Sequence, residues 1–459
     1  MKSFRIAAIQ FTVLLLSIHI SFGQDSTVIS YPGFKMLRAS EDYSFLKGKS
    51  TAPTFWEKLK YIPLHENSFL SLGGDFRSEF QVLQNEEWIK NNDDAPLYLR
   101  FMFHTDLHLG KRFRLFTQLK SGHSIGRNGP PFFLNVDRLD FHQLFASFQF
   151  GNSKIEVGRR ELFYGSRRLI SIREGTNVRQ SFDGARYIWQ KDNHQLDVLL
   201  YAYNPQRTGV FDNDFNTDQL LWGTYYVWNA TKDQVLNFDL YYLGINHENP
   251  RFEEGSLEET RHSFGIRNWG TIGRLSYNNE FVLQRGSFGD GSINAWTIST
   301  DLSFKFPGNV GFKPGLKAEI ISGDKDPEDG DLQTFNALYP RGGYFGLLAV
   351  VGPANLVDIH PSLGFNLFSS VSVMLDWDFF WRHQLGDGIY FPSGRLNIAG
   401  SESNERFIGH QAGIQVGRPI NRFLEVEVSY FYFFSGPFIK DVTDGVNFSQ
   451  FGTSINYKF

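Results

Sequence analysis

Seven arginines stand within the 28 residues from Arg159 to Arg186: Arg159, Arg160, Arg167, Arg168, Arg173, Arg179 and Arg186. A guanidinium is always charged and presents a planar fork of N–H groups that grips a carboxylate at two points. Aimed into a narrow wet passage, several of them would make an anion-attracting constriction in which no single contact holds too tightly. Glu161 and Asp183 lie in the same stretch, with Glu156 just before it. These acids could instead neutralise the arginines and brace a wall. The two readings are compatible, because Glu161 and Asp183 can also orient the arginines and moderate their pull.

A second stretch, Gly323-Asp324-Lys325-Asp326-Pro327-Glu328-Asp329-Gly330-Asp331, is acidic. Asp324, Asp326 and Asp329 beside a glycine turn could wrap Ca²⁺ with oxygen ligands. The spacing is not that of an EF-hand, and a solvated loop tip is the plainer reading. No other cofactor is indicated. Gly122-His123-Ser124 and His360 are isolated, with nothing to order them into a nucleophile–base–acid site, so no enzyme is expected. The chain has no cysteine, which excludes a lipoprotein anchor, a disulfide framework and thiolate metal sites.

The elements that must position these residues show themselves by alternation. From Ser68, Leu70, Leu72, Phe76, Phe80 and Val82 share one face, and Asp75, Arg77, Glu79 and Gln81 the other. The next run sets Leu97, Leu99, Phe101, Phe103, Leu107 and Leu109 against Tyr98, Arg100, His104, Asp106 and His108. A strand with lipid on one face and water on the other must read this way. Short connections, such as Gly110-Lys111-Arg112, Gly151-Asn152-Ser153, Lys191-Asp192-Asn193, Pro307-Gly308-Asn309 and Phe368-Ser369-Ser370, alternate with long polar ones. The long ones include Leu83 to Pro96, Gly122 to Leu139, Phe163 to Gln180, Gly323 to Asn355 and Gln384 to Arg406. Short periplasmic turns and long external loops mark an outer-membrane barrel. The pattern predicts a closed antiparallel transmembrane barrel of about 18 strands over residues 67–459. It ends on a strand with Phe451, Thr453, Ile455, Tyr457 and Phe459 toward lipid. A terminal phenylalanine is what such barrels present to their assembly machinery. Inward positions include Arg77, Arg100, Arg114, Lys120, Arg160 and Arg186, then Lys313, Lys317 and Arg382. Against them stand Asp75, Glu79, Asp106, Glu156, Asp376, Asp378, Glu425 and Glu427, so the lumen is mixed in sign.

Composition agrees. Aromatics make up 16% of the 459 residues, yet the mean hydropathy is only -0.30, as alternation hides the apolar surface. Lys2, Arg5, the apolar run from Ile6 to Ile20 and Ser21-Phe22-Gly23 read as a signal peptide over residues 1–23. Residues 24–66 form a periplasmic lead-in, folded under or into the barrel mouth. Loss of the signal peptide with Lys2 and Arg5 takes the formal charge from -4 to -6, and no basic excess suggests nucleic acid.

On these residues the chain resembles the alginate export family of outer-membrane proteins. The resemblance is carried by Val157-Gly158-Arg159-Arg160-Glu161-Leu162, Tyr164-Gly165, Arg168-Leu169-Ile170 and Ser181-Phe182-Asp183-Gly184-Ala185-Arg186. Ser322-Gly323-Asp324, Thr334-Phe335-Asn336, Tyr344-Phe345-Gly346 and Lys60-Tyr61-Ile62-Pro63-Leu64 extend it. It implies an 18-stranded monomeric barrel passing an anionic polysaccharide through an arginine-rich constriction, with periplasmic export partners. Where the family more typically carries Gln, this chain has Arg160. The competing expectation is a general or small-solute porin on the same fold, since a fold does not dictate its site.

Overall fold

The computed structural model describes residues 32–48, 55–343, 345–346, 348–368 and 370–459. The expected signal peptide lies outside the described residues, as do Tyr344 of the family-like motif and Ser369 of the predicted turn. A short helix α1 (Phe55–Lys60) and a short strand β1 (Ile62–His65) lead into the sheet. There follow β2 (Ser68–Gln84), β3 (Leu97–Leu109), β4 (Phe113–Ile125), β5 (Asp137–Phe150), β6 (Ser153–Arg160) and β7 (Phe182–Lys191). Then come β8 (His194–Tyr203), β9 (Gln219–Asn229), β10 (Asn237–His247), β11 (Glu259–Ile272), β12 (Leu275–Phe288) and β13 (Gly291–Phe304). Next are β14 (Lys313–Ile321), β15 (Leu356–Leu367) and β16 (Val371–Arg382), with β17 (Ile389–Tyr390) and β18 (Leu396–Ile398) as a separate hairpin in an external loop. The chain ends in β19 (Phe407–Pro419), β20 (Leu424–Ser435), a one-turn helix α2 (Pro437–Val442) and β21 (Phe448–Lys458).

Each strand of the main sheet pairs antiparallel with its neighbours, and β21 returns to pair with β2. Leaving out the short β1, 18 strands close on themselves, as the alternation predicts. Closure leaves no unpaired edge, the condition for β-structure in lipid. The outer face carries the apolar partners: Val157, Leu200 and Ile298 are each more than half exposed. Their in-line neighbours point inward, among them Glu156, Leu199 and Thr297, all buried. At the periplasmic end the turns are tight. Gly151 takes φ +57 there with open space where a Cβ would stand, a conformation that suits glycine in a two-residue hairpin. One external connection is equally short, since only Gly289 and Asp290 join β12 to β13.

The wall is uneven. β6 stops at Arg160 because the chain turns into the lumen, so β5 has no β6 partner beyond Leu144 paired with Arg159. The β8–β9 loop (residues 204–218) fills that notch. Val210 forms a parallel bridge to Leu139, the Phe211 amide donates to the Leu139 carbonyl at 2.8 Å, and Phe211 packs on Phe141 at 5.3 Å.

The core lies inside the barrel. The β6–β7 loop (residues 161–181) and the β14–β15 loop (residues 322–355) meet there, with Ile170 bridged to Tyr339. Leu162, Ile170, Phe335, Leu338 and Tyr339 join inward residues such as Tyr201, Leu221 and Phe431 in one buried apolar cluster. The lumen is therefore an apolar core toward the outside and a polar wall below it. From the periplasmic side, residues of the lead-in enter beside β2–β5. Ala39 packs on Phe116 and Phe145, while Arg38 donates to the Gly74 carbonyl at 3.0 Å and the terminal Phe459 carbonyl at 2.7 Å. At the same periplasmic end, Trp56 of α1 packs on Phe459 at 5.2 Å and Phe423 at 5.7 Å.

Candidate functional site

The β6–β7 loop crosses the lumen and reaches several walls. Arg168 spans to the far side, donating to Ser299 and Thr297 at 2.5 Å each and pairing with Glu319. Tyr164 donates to Asp197 on β8 at 2.9 Å, and Ser166 to Glu280 on β12 at 2.5 Å. Glu174 meets Arg100 of β3 at 2.7 Å and also pairs with Arg179. Arg77 of β2 donates to the carbonyls of Glu174 and Thr176 at 3.1 and 2.9 Å. Burial would raise the Glu174 carboxyl, but Arg100, Arg179 and Arg77 hold it well below the usual carboxylate range. Conversely Glu174 and Glu161 hold the Arg179 proton more tightly than burial alone would allow.

The sequence-predicted residues separate into three groups. Arg160 and Arg186 point inward from β6 and β7 and share Glu156, with Arg186 at 2.7 Å. Arg186 also meets Asp197 at 3.2 Å, and Arg160 lies over the Phe145 ring at 4.7 Å. Arg168, Arg179 and Glu161 belong to the crossing loop, with Arg179 on Glu161 at 3.1 Å. Arg159 and Asp183 are elsewhere. They face each other across β6 and β7 on the parity of outward-facing Val157 and Ala185. Arg159 grips Asp183 with two hydrogen bonds of 2.7 and 2.9 Å and donates to the Asn213 carbonyl at 2.8 Å. The pair thus ties the notch-filling loop to the outer wall and does not line the lumen, contrary to the expectation. Strand parity carries this result, because an inward Arg160 requires an outward Arg159.

Arg173 stands apart from the rest. It takes the left-handed region at φ 55 and is 7% exposed. Among the described residues its guanidinium forms no ion pair, while Arg159, Arg160, Arg168, Arg179 and Arg186 all do. Glu174, which gathers three arginines, was not among the predicted residues. Its signal was present as the one acid between Arg173 and Arg179.

At the periplasmic end, across the barrel from the lead-in, a cavity of 690 Å³ opens between the β11–β12, β13–β14 and β15–β16 turns. Arg274, Lys305 and Lys313 line it, with Glu427.

In the acidic stretch the carboxylates accept from backbone amides. Asp324 is fully buried, and its oxygens accept from the amides of Asp326 at 2.9 Å and Gln333 at 2.7 Å. Asp326 and Asp329 accept from the amides of Glu328 and Asp331 at 3.3 and 2.9 Å. Among the described residues these three aspartates do not converge as metal ligands. Asp387 of the β16–β19 connection accepts from the Asp324 amide at 2.9 Å and from Tyr390 at 2.6 Å. Burial pushes its carboxyl up to about 7. Burial, then the contact with Asp324 and the charge of Asp387, push Glu254 up to about 10.

Residues 68–451 match the alginate export family. No curated protein matches the chain. Among solved structures, it is similar to Pseudomonas aeruginosa OpdK with vanillate, at 10% identity and a TM-score of 0.59, covering 86% of this chain and 100% of that one. It is similar to Pseudomonas aeruginosa OccK2 (OpdF) in complex with glucuronate, at 10% identity and 0.55, covering 85% and 96%. A BenF-like porin from Pseudomonas fluorescens Pf-5 aligns at 10% identity and 0.57, covering 85% and 98%. At these identities the structures speak for the fold alone, a closed antiparallel β-barrel of the outer-membrane type.

Proposed function

The chain belongs to the alginate export family and is an outer-membrane β-barrel channel, and from that premise we propose that it passes an anionic polysaccharide, alginate-like, or its oligomers. The observation that carries the reading is Arg173, a cation on the loop that crosses the lumen, 7% exposed and, among the described residues, in no ion pair with a carboxylate. A fixed charge in a narrow, low-dielectric passage focuses its field on whatever enters. Arg274, Lys305 and Lys313 give an anionic chain a cationic approach from the periplasmic mouth. The paired arginines keep the constriction rigid, and Arg173 supplies a contact that a uronate can make and leave.

A second reading, a small-solute porin, draws on the apolar core and the paired arginines, which leave less room and less free charge than a wide polymer conduit needs. Planar-bilayer recording separates the two. The wild-type pore should prefer anions in a salt gradient and be blocked transiently by oligouronates, with residence lengthening as the oligomer grows. Arg173→Gln should shorten that residence about tenfold, the equivalent of roughly 1.4 kcal/mol. Cation preference, or a block indifferent to oligomer length and to Arg173→Gln, would overturn the polysaccharide reading.

A further inference from the structure

On the opposite wall, Asp358 and His360 of β15 and Asp378 of β16 bring one ligand atom each to within 4.8 Å of the others. Residues 358 and 360 share the inward face because a strand alternates with period two, and Asp378 reaches them from the adjacent strand. All three are buried, at 2%, 5% and 1% exposure.

Their hydrogen bonding is incomplete. Both oxygens of Asp378, Oδ1 of Asp358 and Nδ1 of His360 are buried without a hydrogen-bond partner. Asp378 Oδ1 stands 2.5 Å from His360 Nδ1, but the contact lacks hydrogen-bond geometry. Gln411, opposite Asp378 in the register, is 2% exposed and its Nε2 is also unpartnered. Two carboxylates side by side in a buried wall repel, and leaving their lone pairs without donors adds a desolvation cost. Asp376 adds a third acid, 3.4 Å from His360 Nε2. Lys317 stands opposite His360 on β14.

We propose that Asp358, His360 and Asp378 bind a divalent transition-metal ion of the Zn²⁺ type. One imidazole nitrogen and two carboxylate oxygens suit borderline ions that accept mixed nitrogen and oxygen ligands better than Ca²⁺, which takes six to eight oxygens. Three protein ligands leave a fourth position. Gln411 is placed to fill it, since turning its amide about the last bond exchanges Nε2 for Oε1. The β14–β15 loop closes over the site at Gly346, where a Cβ would stand 3.2 Å from Asp378 Oδ2 and collide with the Gln411 amide. The ion neutralises the acidic wall beneath that loop. This assignment is independent of what the channel passes.

The test uses the full-length folded barrel in detergent, its folding verified by heat-modifiable gel mobility. The protein is incubated with ZnCl₂, desalted, and its metal content measured. Wild type should retain about one Zn²⁺ per chain. Asp378→Asn and Asp358→Asn should each weaken binding at least about tenfold, while Glu425→Gln, an inward acid outside the cluster, should retain the ion. Co²⁺ in place of Zn²⁺ should give visible bands that His360→Gln abolishes, a readout that survives if one aspartate variant fails to fold. The assignment is overturned if folded wild type retains no Zn²⁺, as expected were His360 simply protonated between Asp376 and Asp378. Retention unchanged in the aspartate and histidine variants, or retention of Ca²⁺ but not Zn²⁺, overturns it equally.

Discussion

The two sides of the lumen solve the same electrostatic problem differently. Along β2–β8, inward cations meet inward acids within the wall or on the crossing loop: Arg114 on Asp106, Arg186 on Glu156 and Asp197, and Arg100 on Glu174. Along β15–β16, acids crowd around His360, and the large cation nearby, Arg382, is directed away from them. Its guanidinium donates to the carbonyls of Leu385, Asp387, Gly400, Ser403 and Glu405, holding the β16–β19 connection in place. Counting charges along the chain therefore misjudges a lumen. Whether an arginine attracts solute depends on what already occupies its fork.

Breaking the arginine side should have the largest effect. Arg179→Met leaves Glu161 and Glu174 with a missing partner, Glu161 being fully buried. Removing one member of a buried pair costs roughly 3–5 kcal/mol. Urea unfolding of the barrel in lipid vesicles should show a midpoint lowered accordingly, and an unchanged midpoint would mean that these pairs are idle.

The acidic side should answer differently. Arg382→Lys keeps the charge but loses the planar fork. We expect the strands to hold while residues 383–406 become open to external protease; equal cleavage of variant and wild type would refute the role of the fork.

A third effect depends on pH. Asp387 and Glu254 have folded-state values raised to about 7 and about 10, against 3.8 and 4.5 when unperturbed. The folded loops then bind more protons than the unfolded chain, so stability falls as pH rises from about 4 through those values. Protease sensitivity of the external loops should increase between about pH 5 and pH 9. Asp387→Asn with Glu254→Gln should flatten the profile. Glu174 has the opposite sign, since its lowered carboxyl contributes stability that is lost only as pH falls below about 4.5.

The smallest effect is expected from Ca²⁺. The oxygens of Asp324, Asp326 and Asp329 already accept from backbone amides, so Ca²⁺ should leave proteolysis at residues 323–330 unchanged. Protection that Asp324→Ala removes would restore the calcium reading.

Much of this was legible in the residues. Period-two alternation set the strand faces, and the terminal run from Phe451 to Phe459 pairs with β2 in the register that keeps Tyr457 opposite Phe76 and Lys458 opposite Asp75. Alternation is local physics, since each residue faces lipid or lumen according to its immediate neighbours. Asp358 and His360, two residues apart on one strand, share a face by the same alternation. His360 looked isolated only because Asp378 lies on the next strand.

The sequence by itself determined the barrel, its closure and which side chains face inward, because one polar face and one apolar face leave a strand no other stable placement in a membrane. The tertiary structure decided where the charges ended. Arg168 finds Ser299, Thr297 and Glu319 more than a hundred residues away, and Arg159, set outward by strand parity, finds the Asn213 carbonyl on the notch-filling loop. Those partners meet only after the cylinder closes and brings distant walls within reach of one crossing loop, so no spacing along the chain encodes them.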